Sequence, residues 1–168
     1  MKNMTLEHIA IACGGTYYGS EEAKTTEIQG AVTDSRQVGE DYLFIPVRGA
    51  KVDGHSFIPA VFAQGAAAVL SEEVLTDPAG SYILVDSTLQ ALKDIAEYYR
   101  SQLTIPIVGI AGSVGKTTTR EMIAYALSAE KKVYKTQKNY NSSVGLPITM
   151  SLMSNDYDIA VLELGMNV

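Results

Sequence analysis

The chain has 168 residues, 46% hydrophobic and 19% charged, the balance of one globular domain or two small ones rather than of a disordered or fibrous chain. Its formal net charge of −6, with no basic stripe, argues against a nucleic-acid partner but leaves phosphorylated ligands open, because local loops can hold phosphate against the global sign. No apolar run approaches the ~20 residues of a membrane span, the opening MKNMTLEHIA carries no cleavable signal pattern, and the single cysteine, Cys13, excludes an internal disulfide; the expectation is a small buried thiol in a protein of the reducing cytoplasm.

Thr5 predicts the N-cap of a helix over 6–12, stopped by Gly14 and Gly15. His8 on that helix reads as packed or solvated rather than catalytic. Residues 16–26 are polar and read as a loop. A strand is predicted over 28–33, leading into Asp34-Ser35-Arg36, and a second over 42–47. The glycine-bearing loop 48–57 follows and holds Asp53-Gly54-His55. Helical pattern resumes over 56–64, with strands at 66–70 and 82–85 and a turn at Asp77-Pro78-Ala79-Gly80 between them. This alternation predicts a small α/β unit with its own core, ending near Asp86. Ser87 and Gln90 predict a capping box for a helix to about 102, with Leu89, Leu92, Ile95, Ala96 and Tyr99 facing inward.

The second block carries the densest chemistry. Its apolar run, 105–111, has the pattern of a buried parallel strand. It turns through Gly112-Ser113-Val114-Gly115 into Lys116-Thr117-Thr118-Thr119, and a helix follows with Met122, Ile123, Ala126 and Leu127 on one face. Strand, glycine loop, Lys-Thr, helix is the arrangement of a phosphate-binding loop. Glycines let backbone N–H groups curl around phosphate oxygens, and the helix N-terminus adds partial positive charge. Lys116 brings a full charge to the phosphates, and Thr117 offers a hydroxyl to Mg²⁺. The strict G-x-x-x-x-G-K-[ST] spacing is not met, since Ile110 stands where its first glycine belongs.

A strand is predicted at 132–135, then the Asn-rich loop TQKNYNSS at 136–143 and a helix over 145–152 with Pro147 in its first turn. The last strand, 159–164, carries Glu163 at its C-terminal end, the end where α/β sheets place ligands, so a Mg²⁺ role with Thr117 is expected. By themselves, Asp34-Ser35-Arg36 and Asp53-Gly54-His55 read better as plain turns, and Asn139 and Asn141 equally well as turn formers. A doubly wound nucleotide domain carries more strands than these, so the front part of a longer protein, inactive alone, is expected.

The ordered motifs TDSR at 33–36, DGHSF at 53–57, GIAGSVGKTTTREM at 109–122, NYNSSVGLPIT at 139–149 and LELGMN at 162–167 resemble those of the Mur ligases over almost the whole chain. The resemblance implies an α/β fold in which 1–86 is a UDP-sugar-binding N-terminal domain. Residues 87–168 would then be the first, truncated part of a P-loop-type, parallel-sheet ATP-binding domain. It implies an ATP-dependent amide-forming ligase of peptidoglycan precursor synthesis, with ATP and Mg²⁺ as cofactors. The GSVGKTTTREM loop and the Asn-rich loop before GLP favour the dipeptide-adding branch, whose substrates are UDP-N-acetylmuramoyl-tripeptide and D-Ala-D-Ala. Carried over by motif, Lys116 is catalytic, and Gly112, Ser113, Val114, Gly115, Lys116, Thr117 and Thr118 bind ATP. Thr117 and Glu163 hold the metal; Ser35, Arg36, Asp53, Gly54, His55, Asn139 and Asn141 bind substrate. The family's Gly-Asn-x-Asn-Asn stretch reads Lys138-Asn139-Tyr140-Asn141-Ser142 here. A related ligase adding another amino acid, a P-loop NTPase without ligase chemistry, and a plain UDP-sugar-binding module are the alternatives.

Overall fold

The computed structural model describes residues 1–49, 52–137 and 140–165. The chain divides into two compact units, Met1–Tyr98 and Tyr99–Val168. The division falls inside a helix, beyond the junction near Asp86 read from the sequence.

The first unit opens with α1 (Leu6–Cys13). Thr5 caps it and Gly14, in the left-handed conformation, ends it. The His8 ring completes a capping box by accepting from the Thr5 amide, which accounts for this histidine. Cys13 is half-buried rather than buried, with its thiol donating to the Ile9 carbonyl at 3.0 Å. The stretch expected as loop instead forms β1 (Thr16–Tyr18) and the one-turn α2 (Glu21–Lys24). Next come β2 (Gly30–Val32), a 3₁₀ turn at Ser35–Gln37, β3 (Tyr42–Phe44), and a second 3₁₀ turn at Gly54–Phe57 that runs into α3 (Ile58–Ala63). β4 (Ala68–Ser71) and β5 (Ser81–Leu84) complete the sheet, ordered β1-β5-β4-β3-β2. All pairs are parallel except β1 with β5. The core on the α3 face is Val32, Phe44, Ile58, Val61, Val69 and Tyr82.

α4 (Thr88–Ser101) links the units. Ser87 Oγ accepts from the Gln90 amide, but the Gln90 side chain bonds Asp94 instead, so the expected capping box is only half made. Glu72 supplies more of the cap: its Oε1 accepts from the Thr88 amide and hydroxyl at 2.9 and 3.0 Å.

The second unit holds β6 (Ile107–Ile110), α5 (Lys116–Leu127), β7 (Val133–Lys135), α6 (Gly145–Ser151) and β8 (Ile159–Glu163). The three strands form a parallel sheet in the order β6-β8-β7. Ile110, Ala124 and Val161 form its buried cluster under α5, joined by Val108, Ile123, Leu127 and Val133. Of the face predicted for α5, Ile123 and Leu127 pack inward while Met122 and Ala126 do not, so the buried face is rotated from the expected one. Met122 is 67% exposed, while Arg120 is buried. An inward charge explains the rotation, and it belongs to the site described next.

Candidate nucleotide and substrate sites

Parallel pairing sets the second unit's site. In the β6–β8 register, Ile110 lies opposite Glu163. Both strands therefore end at one sheet edge: β6 runs on into the glycine loop, and β8 ends in Glu163. This is the carboxyl edge at which parallel sheets bind ligands. At Gly109 a Cβ would come within 2.9 Å of the tip of the Leu164 side chain, which would have to turn aside.

The loop turns on Gly112 at φ 150° and Gly115 at φ 77°, values that side chains rarely adopt. Gly115 is the N-cap of α5 and offers no side-chain cap, so the first amides of the helix stay available to an anion. Ser113, Val114, Thr117 and Thr118 are exposed. Lys116 Nζ donates to the Gly112 carbonyl at 2.6 Å, folding the lysine back over its own loop.

Glu163 is the opposite case, a carboxylate with a side chain 3% exposed. Its amide donates to Thr136 Oγ1 at 2.9 Å, and its Oε2 accepts from Asn141 Nδ2 at 3.3 Å. Arg120 Nη1 lies 2.9 Å from Oε1. That approach is off the line of a hydrogen bond, and Oε1 is left with charge contact alone among the described residues. The Asn141 carbonyl also takes the Gly165 amide at 2.8 Å, closing the loop over the strand end. Asn139 lies outside the described residues.

No group of three His, Cys, Asp or Glu side chains suited to a metal exists among the described residues. Mg²⁺ does not require one, since it takes one or two protein oxygens and fills its shell with waters and phosphates. The exposed Thr117 hydroxyl and the buried Glu163 Oε1 lacking a directed bond are hard oxygen donors of that kind, and they fit the ion.

The first unit holds its own cleft, about 510 Å³, lined by Thr33, Asp34, Ser35, Arg36, Val47, Val52, Gly54 and Phe57. The two motifs separated in sequence meet here: Ser35, Arg36 and Gly54 face the cleft. Asp34 caps its 3₁₀ turn and forms a two-point pair with Arg36, Oδ1 to Nε at 2.9 Å and Oδ2 to Nη2 at 2.7 Å. The Arg36 hydrogen bonds hold the Asp34 carboxyl down to about 2. Arg36 stays 87% exposed, so its remaining N–H groups can meet an anionic ligand. Gly54 packs against Val47, where a Cβ would sit 2.7 Å from the Val47 amide nitrogen.

Asp53 and His55 are placed differently from Gly54, since neither lines the cleft. His55 Nδ1 meets Asp53 Oδ1 at 2.7 Å and its Nε2 accepts from the Glu72 amide, which assigns the proton to Nδ1. The histidine ties the second 3₁₀ turn to the end of β4. Hydrogen bonds from His55 hold the Asp53 carboxyl below its usual range. For Glu72, burial acts upward but is outweighed by the two Thr88 hydrogen bonds and the Arg48 charge, so its carboxyl is also lowered.

Two family models match the chain: "Mur ligase family, catalytic domain" over residues 27–100, and "Mur ligase middle domain" over residues 110–168. The chain belongs to the Mur ligase family. Among its relatives, the Bacillus subtilis UDP-N-acetylmuramoyl-tripeptide–D-alanyl-D-alanine ligase is 40% identical over 169 residues, a match that takes in 99% of this chain and 37% of that protein. The structure of MurF from Acinetobacter baumannii superposes with a TM-score of 0.87 at 29% identity, over 96% of this chain and 36% of that one. MurF from Thermotoga maritima in complex with ADP gives 0.69 at 34% identity, over 80% and 31%. This Mur ligase chain therefore spans about a third of the length of the curated relatives it matches.

Sequence reasoning missed Arg120 and Thr136, which with Asn141 surround Glu163. An arginine interrupting the apolar stripe of α5 was the available signal for the first. The second gave none.

Proposed function

We propose that this chain supplies the phosphate-binding and UDP-substrate-binding portions of an ATP-dependent ligase joining D-Ala-D-Ala to UDP-N-acetylmuramoyl-tripeptide through an acyl phosphate. One observation carries the reading. A glycine loop with Lys116 and a buried carboxylate lacking a directed bond on one oxygen leave adjacent parallel strands at the same edge. The curated relatives at 30–44% identity bear the name of that ligase.

In this reading Lys116 exchanges the Gly112 carbonyl for phosphate oxygens and stabilises the charge that develops on the transferring phosphoryl group. The free amides of the α5 N-terminus hold the same anion. Thr117 and Glu163 hold Mg²⁺, which when bound offsets phosphate charge as a Lewis acid. Ser35 and Arg36 bind the diphosphate of the UDP end in the 510 Å³ cleft, with Asp34 orienting the guanidinium. Asp53 and His55 shape that cleft from behind. Asn141 serves through Glu163, and Asn139 remains a substrate-loop candidate. Peptidoglycan precursor synthesis in the cytoplasm is the setting that goes with this chemistry. No helix among the described residues is long and apolar enough to cross a membrane.

The test is amide formation by the full-length protein carrying this chain, with ATP, Mg²⁺ and the UDP-linked tripeptide. D-Ala-D-Ala should be the amine consumed, and Lys116→Ala should lower the rate by at least ~100-fold. A preference for a diamino acid would move the chain to another branch of the family. ATP hydrolysis indifferent to the UDP compound would leave a plain NTPase.

A further inference from the structure

We propose that Arg120 is a resident cation for Glu163: it occupies the charge of that carboxylate while nucleotide is absent, so that the metal ion enters only together with nucleotide. The inference rests on the assignment of Mg²⁺ to Glu163 above.

Arg120 stands four residues after Lys116, one helical turn further along α5. Its side chain is 8% exposed, and the Glu163 side chain it faces is 3% exposed. A buried charge costs a great deal unless it is paired, so Glu163 needs Arg120 when nothing else is bound, whereas Arg120 also has Glu121. Their contact nevertheless has charge without direction: Nη1 and Oε1 are 2.9 Å apart but misaligned.

Both groups are fixed better from their outer sides. Arg120 donates from Nε and Nη2 to Glu121 Oε1 at 3.1 and 2.6 Å. Glu121 is in turn held through Oε2 by Lys135 Nζ at 2.5 Å. Glu163 is held by Thr136 at its amide and by Asn141 at Oε2. Among the described residues, the contact between them is the undirected one, so it can give way when another cation takes over the Glu163 charge. Arg120 keeps Glu121, and Glu163 keeps its aim.

A divalent ion at Oε1 would face the guanidinium at a few ångström, where like charges repel strongly even at protein dielectric. Mg²⁺ alone does not overcome that repulsion. Mg²⁺ arriving with phosphate does, because phosphate supplies negative charge to both cations. Arg120 is thus a positioning residue that makes metal entry conditional on nucleotide.

The experiment titrates MgCl₂, without nucleotide, into the full chain and its Arg120→Met, Arg120→Lys and Arg120→Met/Glu163→Gln variants. Calorimetry and the thermal melt are the readouts. The parent and Arg120→Lys should respond weakly. Arg120→Met should bind Mg²⁺ at least ~10-fold more tightly than the parent and melt higher as the ion is added. The double variant should lose that gain. If Arg120→Met is unfolded without metal, Mg²⁺ should fold it at concentrations that leave the parent unchanged. Equal Mg²⁺ responses in parent and Arg120→Met, Arg120→Lys behaving like Arg120→Met, or a double variant that still binds would each overturn the proposal. A parallel titration of ATP with and without Mg²⁺, in parent and Glu163→Gln, separates the two claims. If nucleotide binding in the parent owes nothing to Mg²⁺ or to Glu163, the metal assignment itself fails. If that dependence is intact and only Arg120→Met is silent, the role of Arg120 alone fails.

Discussion

Gly165→Ala tests whether the loop over the Glu163 strand end is held as tightly as its geometry implies. An alanine Cβ at this position would lie 2.9 Å from the Asn141 carbonyl carbon, and the carbonyl oxygen is closer still. That atom is backbone and cannot rotate away, so the loop must lift. Lifting it breaks the Gly165 amide bond to the Asn141 carbonyl, 2.8 Å, and the Asn141 bond to Glu163 Oε2, 3.3 Å. Each is worth about 1 kcal/mol net, and forced overpacking adds roughly 1–2 kcal/mol. The expected cost is about 3–4 kcal/mol in the second unit, a drop on the order of 10 °C or more for a domain of this size. Gly115→Ala is the control: its φ is +77° but nothing lies within 4 Å of the added Cβ. It should cost only roughly 1–2 kcal/mol of backbone strain. Urea unfolding, followed by hydrogen exchange of the β8 amides, measures both. A Gly165→Ala cost under ~0.5 kcal/mol, or one no larger than that of Gly115→Ala, would refute the reasoning.

Other consequences are simpler to check. Tyr134 donates to the Thr149 carbonyl at 2.9 Å in a buried setting, so Tyr134→Phe removes that bond, leaves the carbonyl only the Leu152 amide at 3.3 Å, and should cost about 1 kcal/mol in denaturant unfolding. Burial also pushes the Tyr134 phenol well above its usual range, so its absorbance should titrate after that of the exposed tyrosines. Asp34 is held down to about 2 from 3.8, so the stability it adds is complete above the higher value and disappears as pH falls toward the lower. The pair is largely solvated, which keeps the increment under ~1 kcal/mol. The difference in stability between the parent and Asp34→Asn, followed from pH 6 to pH 2, should shrink over that acid window and stay flat above it.

The features legible in the sequence were those carried by local chemistry. Thr5 and Gly14 bracket α1 as their cap preferences require, and the loop before Lys116 announced itself by its glycines. β8 showed as an apolar run closed by one carboxylate. Residues 16–26 were not legible, because β1 is a three-residue edge strand whose partner β5 lies more than sixty residues away. A one-turn helix such as α2 has no periodicity to detect. The face of α5 was half legible: Ile123 and Leu127 pack as expected, but Met122 and Ala126 face outward and an arginine takes an inward position that periodicity assigns to apolar side chains. The surroundings of Glu163 draw on α5, the end of β7 and the Asn141 loop, and no spacing in the sequence joins them. The cleft at Arg36 was half legible: its two motifs were visible, but that Gly54 faces it while His55 turns to Glu72 is a matter of tertiary packing.

The central claim is that the loop at Lys116 binds the phosphates of ATP with Mg²⁺ as the first step of ligation. Calorimetric titration of MgATP into this chain and its Lys116→Ala variant tests it most directly. The account predicts binding to the parent, dependent on Mg²⁺, and at least ~100-fold weaker binding to the variant. Equal binding to both would contradict it.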